Sequence, residues 1–331
     1  MKHASTLVAL AVAGLLNLLA PAQDAAAQVN VMKVDFAGST TWLGQAPVMV
    51  AIEKGYFKEQ GLEVTFRTIL SSADRVRAIT SGDVAFSNLG RSSVISEMAR
   101  GNQSFYYFAN IDDSPGNEGC WSRPGFPSFK DLKGKKVAAN TSAEITMNGL
   151  LATAGMSVKD IQFVNLPPNE MAGALSKGDV DAACVWQPLL DGVKAAAPGG
   201  TLLGTDMDTA MFKKYGTMAS PDIVIISKKF VDEHPQEATK LTVAMFKGAD
   251  FVRANPEETA KLISSYFKKP PEELVAGVKS FKYFGAAGWA EHMKLHQAQM
   301  QELADWLYET GKIPTRPVVA NWANYSFIPK S

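Results

Sequence analysis

The sequence predicts an α/β protein of two lobes, each with parallel sheets and helices on both faces, and a ligand cleft between them. Three observations carry that prediction. Nearly the same text occurs twice, as "RAITSGDVAFSNLGRS" (77–92) and "GALSKGDVDAACVWQP" (173–188). The glycines of the two Gly-Asp-Val steps, Gly82 and Gly178, lie 96 residues apart (178 − 82). That exceeds the roughly 20–50 residues of a solenoid repeat and suits two similar lobes. Strand-like and helix-like segments alternate around each copy, the order that builds parallel sheets. Finally, 331 residues, 46% of them hydrophobic, suffice for two cores at roughly 100–200 residues each.

Taken in order, "VMKVDFA" (31–37) is a strand leading into the loop "GSTTWLG". "QAPVMVAIEKGYF" has apolar residues at helical spacing, with Pro47 tolerated in the first turn and Gly55 as a stop. "LEVTFRTI" (62–69) alternates as a strand, "SADRVRAITSG" is a helix closing at Gly82, and "DVAFSNLG" is a buried strand. The second cycle repeats the order with strand "GKKVAAN" (134–140), helix "SAEITMNGLLATAG", strand "DIQFVNL", helix "NEMAGALSKG" and strand "DVDAACVW". Beyond residue 220 come the strand "DIVIIS" (222–227) and long amphipathic helices. The expected organisation is 28–120 as the first part of lobe 1, 121–220 as lobe 2, and 221–331 as a return segment completing lobe 1.

Residues 1–27 read as a secretory signal: a basic start at Lys2, an apolar run from Leu7 to Ala20, and an A-x-A step with cleavage after Ala27. The apolar run is shorter than the roughly 20 residues of a membrane span. The mature chain is therefore expected to be exported and soluble, and a monomer is expected. Net charge is +0, from 33 basic and 33 acidic residues, which provides no footprint for nucleic acid and directs attention to a small-molecule partner. Cys120 and Cys184 could pair in an oxidising compartment, but two are too few for a disulfide framework, and one or two buried thiols are the simpler expectation.

In open parallel sheets ligands bind beyond the carboxyl ends of the strands. That rule selects Thr40, Thr41 and Trp42, then Asn88, Gly90, Arg91 and Ser92, from the first lobe. From the second it selects Thr141, Ser142, Trp186 and Gln187. Hydroxyls beside helix starts suit an anion, while serving equally as caps. Thr141 and Glu144 make T-x-x-E, so Glu144 is expected as part of a capping box. Trp42 and Trp186 are candidates to flank a ligand, or else core aromatics. Asp222, a carboxylate opening a buried strand, suits an ammonium group or an interlobe hydrogen bond.

The stretches "WLGQAPVMVAIEKGYFKEQGLEV" (42–64), "VRAITSGDVAFSNLG" (76–90), "DLKGKKVA" (131–138) and "GDVDAACVWQP" (178–188) resemble the substrate-binding proteins of nitrate/sulfonate/taurine ABC transporters. Arg77–Ser93, Val185–Pro188, Asp222 and the tail "ETGKIPTRPVVANWANY" are similar to the taurine-binding branch. The resemblance implies a type II periplasmic binding protein fold that closes on its ligand by a hinge and docks on an inner-membrane permease. It implies a sulfonate held by hydroxyls and main-chain N–H groups, and an amine held by a carboxylate at Asp222. Glu118 matches a branch position with a gap. Arg91 stands where the branch has a small serine, which implies a bulkier or more strongly anionic ligand than taurine. Nitrate, sulfate esters, aromatic acids and pyrimidine-like molecules remain open as ligands.

An enzyme on the same fold, of the thiamine-pyrimidine type, is the alternative class. No G-x-S-x-G elbow or phosphate loop occurs in the sequence. His292 and His296 have the i, i+4 spacing of metal ligands, but with Lys294 between them they read as a solvated helix face. The expectation is a receptor with no catalytic residue, metal or cofactor.

Overall fold

The computed structural model describes residues 31–329, with Met1 alone ahead of them; the expected signal segment and its cleavage point lie outside the described residues. Strands β1 (Met32–Gly38), β2 (Leu62–Thr68), β3 (Phe86–Gly90) and β4 (Phe105–Ala109) belong to a first sheet. After the short β5 (Asp112–Asp113), a second sheet takes β6 (Glu118–Ser122), β7 (Lys136–Ala139), β8 (Gln162–Asn165), β9 (Ala182–Trp186) and β10 (Thr201–Thr205). The chain returns to the first sheet as β11 (Asp222–Ser227), and β12 (Lys282–Tyr283) pairs with β5.

The first sheet runs β2-β1-β3-β11-β4 and the second β8-β7-β9-β6-β10, so the two share one topology. β3 and β9 occupy the same place, and their bounds differ by the 96 residues of the sequence repeat (182 − 86). The helices before them, Ser72–Ser81 and Met171–Lys177, stop at Gly82 (φ 85) and Gly178 (φ 78), a left-handed conformation that glycine adopts without strain. The duplicated Gly-Asp-Val text is thus a duplicated helix stop and strand start.

The sheets are parallel as expected except for one strand in each. β11 runs antiparallel to β3 and β4, and β6 antiparallel to β9 and β10. These are the strands on which the chain crosses between sheets. A strand that enters a sheet at the crevice points away from it, whereas the parallel strands end there.

β11 is buried on both faces, which explains its unbroken apolar run. Ile223 and Ile225 pack with Leu89, Val94 and Met300 on one side; Val224 and Ile226 pack with Phe36, Phe86 and Met245 on the other. The second sheet is likewise sandwiched, with Cys184, Val137 and Leu150 in one layer and Val185, Ala138 and Leu175 in the other.

The two cysteines are not free thiols. Register places Cys120 of β6 directly opposite Cys184 of β9, and they form a disulfide within the second core. The bond closes a 64-residue separation, for which loop-closure entropy sets a stabilisation of about 4 kcal/mol and disulfides typically deliver about 2–4 kcal/mol. The Cys120→Ala/Cys184→Ala protein should lose that much in urea unfolding; an unchanged midpoint would contradict a stabilising role for the bond.

Candidate functional site

The carboxyl ends of β1, β2 and β3 face those of β7, β8 and β9 across a cavity of ≈ 610 Å³. This lies within the roughly 300–1,000 Å³ of small-molecule sites. A wider groove of ≈ 940 Å³ around Lys33, Asp83 and Lys228 borders the opposite, amino-terminal edge of the first sheet, away from the strand ends.

Of the residues singled out in the sequence, Thr41, Trp42, Gly90, Glu118, Thr141, Ser142, Trp186 and Asp222 lie together on the cavity wall. The others do not line it. Thr40 sits half-buried in the preceding turn. Asn88 is buried inside the first sheet, donating to Gly44 O (3.2 Å) and Asp112 Oδ1 (2.7 Å). Ser92 is buried, and its neighbour Ser93 takes the wall position. Gln187 turns outward to Asp191 Oδ1 (2.8 Å).

Arg91 is the largest correction. It opens the helix Arg91–Ala99 and is fully buried, reaching away from the cavity to the helix Trp289–Glu309. There its guanidinium donates to Gln299 Oε1 (2.9 Å) and meets the ring of His296. Gln299 in turn donates to Met218 O (2.8 Å) on the segment returning to β11. The helix face carrying His292 and His296 is therefore not solvated: His296 is buried, and His292 shares a hydrogen bond with Asn110 Oδ1 (2.8 Å). Because Arg91 points into this core, it gives no reason to expect a bulkier or more anionic ligand. Glu144 is corrected too. Asn140 Oδ1 accepts from Ala143 N (2.9 Å) and caps the helix Ala143–Thr153, while Glu144 pairs with Lys312.

The two crossing strands give the site its symmetry. Asp222 heads β11 opposite Gly90, the last residue of β3. Glu118 heads β6 opposite Trp186, the last residue of β9. Each sheet thus presents one carboxylate at the crevice, in equivalent registers. Burial pushes Glu118 up to about 8, helped by the charge of Asp206, and its Oε1 has no hydrogen-bond partner. Burial also raises Asp222, opposed by the positive charges of Arg75 and Arg91.

Gly90 marks where the walls converge. A Cβ there would stand 3.1 Å from Ser142 Oγ, 3.6 Å from Ser72 Oγ and 3.9 Å from Asp222 Oδ1. Glycine therefore leaves a ligand group room to reach hydroxyls of both sheets and a carboxylate. Trp42 is fixed by a hydrogen bond from Nε1 to Asp112 Oδ2 (3.1 Å). Trp186 Nε1 donates across the crevice to Thr41 O (3.3 Å), and the two indoles lie 6.2 Å apart, edge to face.

The segments after β2 and β8 supply residues that the sequence reading missed, chief among them Arg75 in the first turns of the helix Ser72–Ser81. Burial lowers Arg75 to about 10, with Asp222 acting in the opposite sense, so it stays cationic at neutral pH. It donates to Ile69 O (2.8 Å), Leu70 O (3.2 Å) and Ser72 Oγ (2.9 Å). The strand-end rule that found the other loops applies equally to these two. The arrangement offers hydroxyls, helix starts and a guanidinium to an anion, and two carboxylates to a cation.

Strand order and crevice together define a two-lobed protein of the type II periplasmic binding protein architecture. The chain belongs to the NMT1/THI5-like family, which it matches over residues 42–259. It is 27% identical over 310 residues to the taurine-binding periplasmic protein of Escherichia coli (strain K12), covering 90% of this chain and 93% of that one. It is 25% identical over 231 residues, 65% of each chain, to a 4-amino-5-hydroxymethyl-2-methylpyrimidine phosphate synthase of Saccharomyces cerevisiae. Its fold matches the crystal structure of the periplasmic aliphatic sulphonate binding protein SsuA from Escherichia coli, with TM-score 0.73 and 16% identity over 90% of this chain and 94% of that one.

The buried acids set a pH dependence. Glu118 at about 8 and Asp206 at about 7 hold protons in the folded state that unfolded carboxylates have already lost near pH 4. Folded protein therefore binds the extra protons, and stability must fall as pH rises through 6.5–8. Below that window His292 and His296, both lowered by burial, act in the opposite direction. With the buried Asp112, also pushed up to about 8, acting in the same sense, ligand-free protein should lose about 2–4 kcal/mol between pH 6.5 and 8, measured by urea unfolding at each pH. A gain across that interval would contradict the assignment.

Proposed function

We propose that this protein is the solute receptor of an ABC importer, a periplasmic monomer that captures a small zwitterionic aminosulfonate such as taurine and delivers it to a membrane permease. The observation that carries the reading is the pair of buried carboxylates, Asp222 and Glu118, one from each sheet on the wall of one cavity. An ammonium between them, displacing the proton that Glu118 holds in the ligand-free protein, would gain two charge-assisted hydrogen bonds and bridge the lobes. The sulfonate would take the hydroxyls of Ser72, Ser142 and Thr41, the start of the helix Arg91–Ala99 and the positive field of Arg75.

A ligand that bridges both walls favours the closed arrangement over the open one by its differential contacts, which is how a hinge receptor signals occupancy. The reading gives these residues binding roles and no catalytic step, cofactor or metal. Relatedness to a periplasmic taurine-binding protein over nine-tenths of the chain supports it.

A thermal-shift panel of taurine, alkanesulfonates, sulfate esters, nitrate, urea and aromatic acids tests the ligand class. Taurine at about 100 times its Kd should stabilise the protein by about 2.7 kcal/mol. A response confined to nitrate, urea or aromatic acids would overturn the aminosulfonate reading. By calorimetry, Asp222→Ala should abolish taurine binding; affinity retained within a few-fold would make Asp222 a structural residue.

A further inference from the structure

Glu118 is backed by a second buried acid. β10 ends at Thr205, paired with Gly119 of β6, and the next residue, Asp206, turns its carboxylate onto the same crossing strand. Its Oδ1 accepts from Gly116 N (2.9 Å) and Glu118 N (3.3 Å), taking the place of ladder carbonyls that β10 no longer supplies. Asp206 is fully buried and is itself fixed, because Thr209 donates to its carbonyl from N (3.1 Å) and from Oγ1 (2.6 Å). Gly116 lies in the turn closed by Asn117 N to Ser114 O (3.0 Å), at a positive φ of 85 that glycine permits. One carboxylate therefore sets both where the outgoing chain leaves its turn and where Glu118 opens β6.

Each of the two acids has a bare oxygen: Asp206 Oδ2 and Glu118 Oε1 are buried without a hydrogen-bond partner. The charges that act on Glu118 are those of Asp206 and Asp222, both negative, and Asp113 adds its own to Asp206. Charged side chains on the surrounding elements are engaged elsewhere: Glu144 with Lys312, Asp191 with Lys194, Lys214 with Glu302, and Asp208 with Thr205 N. Lys213 stands in solvent. Two carboxylates this deep, with no cation against them, cannot both be ionised, since each charge loses its hydration and repels the other. Two N–H donors on Oδ1 favour the ionised form at Asp206, which leaves the proton on Glu118.

We infer that Asp206 is the positioning residue of the second cation-binding carboxylate: it fixes the Glu118 backbone at the crevice and keeps the Glu118 side chain in its acid form until a ligand's ammonium arrives. The inference rests on the aminosulfonate reading and gives capture a proton count. On binding, the O–H bond of the Glu118 carboxyl breaks, its electron pair stays on the carboxylate, and the proton passes to a buffer base in the surrounding water. The ammonium keeps its own protons and donates one to that carboxylate. Asp206 lies off the cavity and acts only through Glu118. One cation enters and one proton leaves, so affinity rises with pH until Glu118 ionises unaided.

Calorimetry of taurine binding in two buffers of different ionisation heat counts the protons released. The natural protein should release close to one at pH 7, and its affinity should tighten about tenfold between pH 6 and pH 7. Asp206→Asn keeps an acceptor for the two N–H groups and removes the charge, so it should cut the proton count by more than half and flatten the pH profile. At pH 8 its affinity should stay within a few-fold of the natural protein, whereas Asp206→Ala, with no acceptor, should lose about tenfold or more. The asparagine variant carries the test alone if the alanine variant does not fold. Taurine binding without proton release would overturn the inference and leave the aminosulfonate reading in place. A proton count unchanged in Asp206→Asn would assign the acid form of Glu118 to burial alone and overturn the role of Asp206. Absence of taurine binding at every pH would overturn the aminosulfonate reading, and the inference with it.

Discussion

Each sheet of this protein admits one antiparallel strand at its fourth position, and that strand begins with a carboxylate at the crevice. Much of the rest follows from the cost of placing those charges there. A buried carboxylate is tolerated where N–H groups or positive charges compensate it. The acids on the crossing segments meet that condition through the backbone. Asp206 Oδ1 accepts from Gly116 N (2.9 Å) and Glu118 N (3.3 Å), and Asp113 Oδ1 accepts from Ser114 N (3.0 Å) and Met218 N (3.1 Å). These bonds tie the outgoing chain to the returning one.

Asp222 and Glu118 are compensated differently. Asp222 has one long hydrogen bond, from Gln45 Nε2 at 3.5 Å, and relies on the fields of Arg75 and Arg91. Glu118 leaves one oxygen without a partner. Asp206 and Asp113 are held by backbone N–H groups and lie off the cavity, whereas Asp222 and Glu118 line it, where a cation from solution can reach them. Arg91 belongs to the same balance. It is a buried cation behind Asp222, held by Gln299 and His296, and it contributes charge to the site without touching its contents.

The repeat was legible because a glycine that ends a helix and an apolar strand that follows it are local features. Strand direction was not, since "DIVIIS" reads the same in either orientation and only the sheet order reveals that β11 runs against β3. The disulfide depended on register between strands 64 residues apart, which no local pattern encodes. Arg91 was misplaced because the first residue of a helix can project to either side of its axis; the partners that draw it inward, His296 and Gln299, lie some two hundred positions away in sequence. Arg75 could have been found from the strand-end rule, had it been applied to every parallel strand.

The two walls meet through Trp186 and Thr41, and through Glu144 and Lys312. The central claim is that the solute bridges the sheets through a carboxylate from each, and small-angle scattering with and without saturating taurine tests it most directly. The radius of gyration should fall on binding as the open population is drawn to the closed one. A radius unchanged at demonstrated saturation would contradict the account.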